Sequence, residues 1–185
     1  MQDLYDQPLI VENPGSIVIA THEEKVGLIQ NFRFVGDRIL PDAGNEYIKM
    51  LQKEKLWGKL IGSLGHWTWE APRGLTPPKT DQDSDLTFNN FVLKTAKLEA
   101  LEEAGLEIKN ARLAGMVNIN STFFAHPQYV VRAEIESIGK NKNEDLEMIG
   151  ALRLFTRQQL RELNDNGDFD DGMTLAGLAL SGISI

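Results

Sequence analysis

The run Glu99-Ala100-Leu101-Glu102-Glu103-Ala104-Gly105-Leu106 constrains this chain most, because it crowds three carboxylates onto about one turn of a segment that otherwise reads as a core helix. At roughly 100° per residue, Phe88, Val92, Ala96, Glu99, Glu103 and Leu106 fall along one stripe, with Glu102 to its side. The stripe is apolar except at the glutamates. A solvated face would mix lysine with glutamate, whereas like charges at i,i+4, as at Glu99 and Glu103, mildly destabilise a bare helix. A cation between them removes that repulsion. Hard divalent ions such as Mg2+ take oxygen ligands of this kind and keep waters and substrate phosphates in their remaining positions. A glutamate-rich surface helix is the alternative, since Leu93, Ala100, Leu101 and Ala104 put apolar residues on other sides. Gly105 stands where a glycine is expected to end the helix.

Upstream lies Glu70-Ala71-Pro72-Arg73-Gly74. With the glutamate run it resembles the Nudix hydrolase signature, G-x5-E-x7-R-E-apolar-x-E-E-x-G-apolar, whose last section maps onto Glu99, Ala100, Glu102, Glu103, Gly105 and Leu106. The family arginine falls on Leu98, the earlier glutamate falls on Asn90, and Gly74 stands further upstream than the family spacing. An insertion containing Pro77-Pro78 and the polar run Lys79 to Asp85 accounts for that spacing. The likeness extends beyond the signature. Pro14 to Ala20 and Lys25 to Arg33 look like the opening hairpin of the ADP-ribose pyrophosphatase branch, while Thr156 to Leu160 and Gly167 to Ala176 resemble its closing helices. It covers the chain from about Asn13 to Leu180, with 41–66 and 75–87 as departures.

The resemblance implies an α/β fold, a Nudix-like α/β/α sandwich with a mixed β-sheet and an inserted helix. It also implies Mg2+ (or Mn2+), held by Glu99, Glu102, Glu103 and the backbone carbonyl of Arg73. Arg33, Arg73 and Trp69 are the expected substrate-binding residues, with Arg33 near a diphosphate. A structural salt bridge is the other reading of Arg33, and solvation the other reading of the Arg73 side chain. Glu102 would complete the metal shell or bind a second ion. Glu147 or Glu144, in a late polar loop where this branch often supplies a general base, would take the proton of the attacking water. Trp67 and Trp69 flank Thr68 and share one face of a strand, as a platform for a nucleobase or as core. Histidines 22, 66 and 126 show no metal-ligand spacing, and no Gly-x-Ser-x-Gly or phosphate-loop lysine motif occurs.

The expected activity is therefore metal-dependent hydrolysis of a nucleoside diphosphate-X compound, ADP-ribose or a nucleotide sugar, giving a nucleoside monophosphate and a phosphorylated remainder. The alternative is a Nudix-fold nucleotide-binding or regulatory protein with weakened turnover, because Leu98 cannot make the ion pair attributed to the family arginine. A third reading, an interaction protein docking through a helix at 45–61, leaves the carboxylate stripe unexplained.

A chain of 185 residues, 42% hydrophobic, suits one domain over 1–185. No run approaches the roughly 18 apolar residues of a membrane span, and Met1 to Tyr5 lacks the features of a signal peptide, so a cytoplasmic location is expected. The absence of cysteine excludes disulfides, zinc thiolate sites and a thiol nucleophile. A formal charge of -8 opposes nonspecific binding to nucleic acid or anionic membrane. A homodimer is implied by the resemblance alone.

Short β-branched runs at Ser16 to Ala20 and Val26 to Gln30 predict a hairpin, with further strands at 67–70, 111–118, 128–135 and 149–155. Helices are expected at 88–104, near 157–164 and 171–180, and, between Gly44 and Gly62, at 45–61.

Overall fold

The five residues Ser16 to Ala20 are all fully buried, although an isolated hairpin strand would show one face to water. The reason is that this strand is central. Strand β2 (Gly15–His22) runs parallel to β7 (Phe124–Ile138), and its outward-facing halves are covered on both sides of the sheet. The pleat sends Val18 and Ala20 into one apolar cluster and Ile17 and Ile19 into another.

The computed structural model describes residues 10–33, 49–50, 53–55, 66–120, 124–141 and 148–185. Within them, β1 (Ile10–Val11) and β2 are followed by β3 (Lys25–Arg33), β4 (His66–Glu70), β5 (Arg73–Leu75), helix α1 (Phe88–Ala104) and β6 (Leu106–Asn120). The chain continues through β7, β8 (Ile149–Phe155), α2 (Arg157–Asp165) and α3 (Gly172–Leu180). The hairpin between β2 and β3 turns through Glu23 and Glu24, both at positive φ, as a two-residue turn of the hand that suits twisted strands. Beyond the hairpin, β3 leaves β2 to pair antiparallel with β8 and, over Ile29 to Arg33, with β4. Strand β5 takes its place against Gly15 to Ile17. Strands β6 and β7 form a long antiparallel pair.

Helix α1 covers one face of this mixed sheet. Its alanines 96, 100 and 104 pack with Val92 against Val18, Ile29, Val131 and Ala133. The other face receives Leu160 of α2 and Leu178 of α3 with Phe155 and Phe169. The architecture is thus the expected α/β/α sandwich. The strands at 111–118 and 128–135 extend to 106–120 and 124–138, and β1 and β5 are additional. Most of the expected helix at 45–61 lies outside the described residues. Among the described residues, no helix is long and apolar enough to cross a membrane.

The stripe expected on α1 is rotated. Phe88 is exposed, set edge-on to Tyr129 at 5.0 Å, and burial follows steps of four residues through Val92, Ala96, Ala100 and Ala104. The small side chains there let the helix lie close to the sheet. Glu103 falls inside this face, Glu99 on its border and Glu102 outside it. The segment 75–87 is pinned to the same helix: Thr80 and Asp83 cap a short 3-10 turn, and Lys94 of α1 reaches Asp83 at 2.6 Å. The bond from Lys94, with those from Thr80, lowers the Asp83 carboxyl to about 2.

Candidate functional site

The site grows from the turn that joins β4 to β5. Glu70, the last residue of β4, is 1% exposed, and such a carboxylate requires charged partners. It has two. Arg33, at the end of β3, donates from Nε to Oε1 at 2.8 Å and from Nη2 to Oε2. Arg73 brings Nη2 to Oε2 of the same carboxylate at 2.8 Å. Its Nη1 donates to both oxygens of Asp171, at 2.8 and 2.7 Å. Asp171 is also the N-cap of α3 and accepts from the Thr174 amide at 2.8 Å, while Thr174 Oγ1 accepts from the Ala71 amide at 2.9 Å. The Arg73 side chain is therefore buried in an ion-pair network and is not solvated. Burial opposes the charge on Arg33, but the bond and charge of Glu70, with Glu103 and Asp171, more than offset it, and its pKa is raised.

The backbone of Arg73 faces the other way. The bonds from Val18 N to Pro72 O and from Thr76 N to Pro14 O set the β2–β5 register, so that Gly74 faces Ser16 as a hydrogen-bonding residue and the amide and carbonyl of Arg73 point away from β2. They point toward α1. The Arg73 amide donates to Glu103 Oε2 at 2.7 Å, which satisfies a carboxylate that is only 5% exposed. Glu99 lies over Gly74 so closely that an added Cβ would stand 2.1 Å from its carboxyl carbon. A side chain there has room only if the Glu99 carboxylate moves. Gly74→Ala is expected to displace the Glu99 carboxylate and weaken Mn2+ binding by about tenfold, the effect of losing roughly 1.4 kcal/mol. Titration calorimetry checks this, and unchanged affinity would remove Glu99 from the site.

Glu103 on the Arg73 amide and Glu99 over Gly74 thus both lie against β5, while Glu102 stands exposed on the helix surface. Among the described residues, no group of three His, Cys, Asp or Glu side chains is gathered closely enough to hold a metal ion. The two carboxylates against β5 are oxygen donors, the kind that a hard divalent ion completed by water and phosphate takes. Glu144 and Glu147 lie outside the described residues.

Beside these groups a cleft of about 290 Å³ is lined by Arg33, Arg73, Gly74, Glu103, His126 and Gln128. Trp69 does not line it. Its ring packs edge-on to Phe155 at 4.8 Å, against the cluster under α2 and α3, because the pleat that turns Glu70 toward the arginines turns Trp69 the opposite way. Glu70, Asp171, His126 and Gln128 were not among the expected site residues. The i,i+3 spacing of Glu70 and Arg73 and the N-cap pattern Asp171-x-x-Thr174 are signals that could have found the first two.

Burial pushes the Asp171 carboxyl up, but the charge and hydrogen bonds of Arg73, helped by Thr174, hold it below its ordinary value. A depressed carboxylate stabilises the fold above its unfolded pKa and loses that contribution as pH falls through the folded one. Asp171→Asn is thus expected to cost about 2 kcal/mol near neutral pH, with the difference from wild type shrinking below about pH 4. Urea unfolding at both ends of that range is the measurement, and a pH-independent difference would contradict the assignment.

No protein-family model and no curated protein matches this sequence. Solved structures do. A Nudix hydrolase from Nitrosomonas europaea superposes with a TM-score of 0.58 at 12% identity, over 95% of this chain and 89% of that one. The crystal structure of an ADP compounds hydrolase gives a TM-score of 0.59 at 12% identity, over 91% of this chain and 70% of that one. The chain has the Nudix fold.

Proposed function

We propose that this protein is a divalent-metal-dependent hydrolase of a nucleoside diphosphate-X substrate, with ADP-ribose or a nucleotide sugar as the leading class. The observation that carries the reading is the meeting of Glu99 and Glu103 with the Arg73–Gly74 backbone beside the cleft that Arg33 lines. The likeness to an ADP compounds hydrolase supports a nucleotide substrate. The acidic surface supports a small ligand over nucleic acid, and the reading takes the chain as one cytoplasmic domain.

The formal charges explain the dependence on metal. Arg33 and Arg73 contribute two positive charges, and Glu70, Asp171, Glu99 and Glu103 four negative ones, so the cluster as a whole is net negative, although Arg33, Arg73 and Glu103 alone of these six line the cleft. When bound, Mg2+ or Mn2+ would neutralise that charge and activate a water. Glu99, Glu103 and the Arg73 carbonyl would hold it, and Glu102 would complete the shell or bind a second ion. Arg33, kept in place by Glu70, would orient the diphosphate with its half-exposed guanidinium. Glu147 or Glu144 would take the proton of the attacking water. Incubating a panel of nucleoside diphosphate derivatives with Mg2+, and reading phosphate after phosphatase treatment, tests the reading; no release from any of them would sink it.

Leu98 motivates a second reading, a nucleotide-binding or regulatory protein with slow turnover. It is 45% exposed on α1, so an arginine there meets no packed core. Leu98→Arg is expected to change stability by less than about 0.5 kcal/mol. If the chain is a weakened hydrolase, the same variant should raise turnover about tenfold, roughly 1.4 kcal/mol of barrier. Unchanged turnover in a normally melting variant would detach the activity from this position.

A further inference from the structure

We propose that Gln128 is a fixed hydrogen-bond acceptor in the cleft, held by His126 as a positioning residue, and that it reads a sugar hydroxyl next to the substrate diphosphate. This rests on the nucleotide reading above. His126 and Gln128 alternate on β7 and are 8% and 2% exposed, yet both line the cleft that Arg33 and Arg73 also line. The His126 Nδ1 lies 2.8 Å from the Asn13 carbonyl oxygen, nearer than the Glu12 carboxylate at 3.7 Å. A carbonyl only accepts, so Nδ1 carries the proton, and in the neutral ring Nε2 is left as an acceptor. The group facing Nε2 is the Gln128 amide, which must present its N–H. That choice fixes which way the amide points.

Two contacts lock the arrangement. Phe124 stacks on the imidazole at 5.1 Å, and the amide lies flat against Gly15, where an added Cβ would stand 2.3 Å from Nε2 and 2.4 Å from Oε1. With Nε2 committed to His126, Oε1 has no hydrogen-bond partner among the described residues. An acceptor held rigidly in a nearly buried wall selects donors. Phosphate oxygens at neutral pH offer lone pairs and are repelled by it; they belong on the arginine and metal side. The donors next to a diphosphate in such a substrate are sugar hydroxyls, either of the nucleoside ribose or of the sugar in X.

The test is the dissociation constant, by calorimetry with Ca2+ present, of ADP-ribose, of the methyl ester of ADP, which lacks the second sugar, and of ADP-ribose made from 2′,3′-dideoxyadenosine. Wild type should bind one of the two deficient analogues about tenfold more weakly than ADP-ribose, and which one identifies the sugar. Gln128→Met and His126→Phe should each erase that ratio, while His126→Gln, whose amide oxygen can replace Nε2 as acceptor, should restore it. Either of the first two variants suffices if the other fails to melt cooperatively. A wild-type ratio near one, or a ratio unchanged in the variants, overturns the proposal. Failure of wild type to bind any of the three compounds overturns the nucleotide reading, and this inference with it.

Discussion

Replacing Glu103 by Gln is expected to reduce divalent-dependent hydrolysis by about three orders of magnitude, some 4 kcal/mol of barrier, and to leave the fold intact. The side chain is nearly buried and accepts the Arg73 amide at 2.7 Å, and an amide oxygen of the same shape can keep that bond. What disappears is one negative charge beside Glu99, and with it a charged ligand for the ion. Structure and charge are therefore separated by this one substitution. Glu103→Ala is the complementary variant, since it also orphans the Arg73 amide and should lower stability by about 1 to 3 kcal/mol. Mn2+ titration of the Gln variant decides the matter. Unchanged affinity alongside normal melting would show that Glu103 serves only to satisfy the strand.

The largest stability effect is expected at Glu70. Glu70→Ala removes the shared partner of Arg33 and Arg73, leaving two guanidinium groups next to each other, with Asp171 still paired to Arg73. Breaking a buried ion pair from one side costs about 3 to 5 kcal/mol, and the half-exposure of Arg33 moves the expectation to the lower end of that range. Chemical denaturation at neutral pH measures it. Replacing the whole cluster, Glu70→Gln with Arg33→Met, Arg73→Met and Asp171→Asn, should recover part of the loss, because neutral groups then fill the space of all four charges. No recovery would show that the cluster is needed to hold the β4–β5 turn itself.

These two residues mark the limit of what could be read along the chain. Glu103 stood out because its spacing from Glu99 and the glycine after it are local facts, and the helix at 88–104 follows from the same periodicity. Glu70 was legible only as part of a short motif. Its role depends on Arg33, which approaches because β3 swings away from β2 to pair with β4. Trp69 illustrates the same limit from the other side. Its sharing a face with Trp67 is a property of any strand, but whether that face meets the cleft or the packed side of the sheet depends on which layer lies against it.

Local patterning was enough for the hairpin at 15–33, for the long strands and the three helices from residue 88 onward, and for the placement of three glutamates at the end of one helix, since periodicity, capping and turn chemistry act between residues a few positions apart. Tertiary structure alone decided that α1 buries Glu103 and exposes Glu102, that Asp171 at the start of the last helix clasps Arg73, and that His126 meets Asn13 across the sheet. The last two are contacts between residues 98 and 113 positions apart. They form only when the parallel pairing of β2 with β7 and the packing of α3 have closed the chain on itself, a cost in loop entropy repaid by buried apolar surface and invisible in any local window.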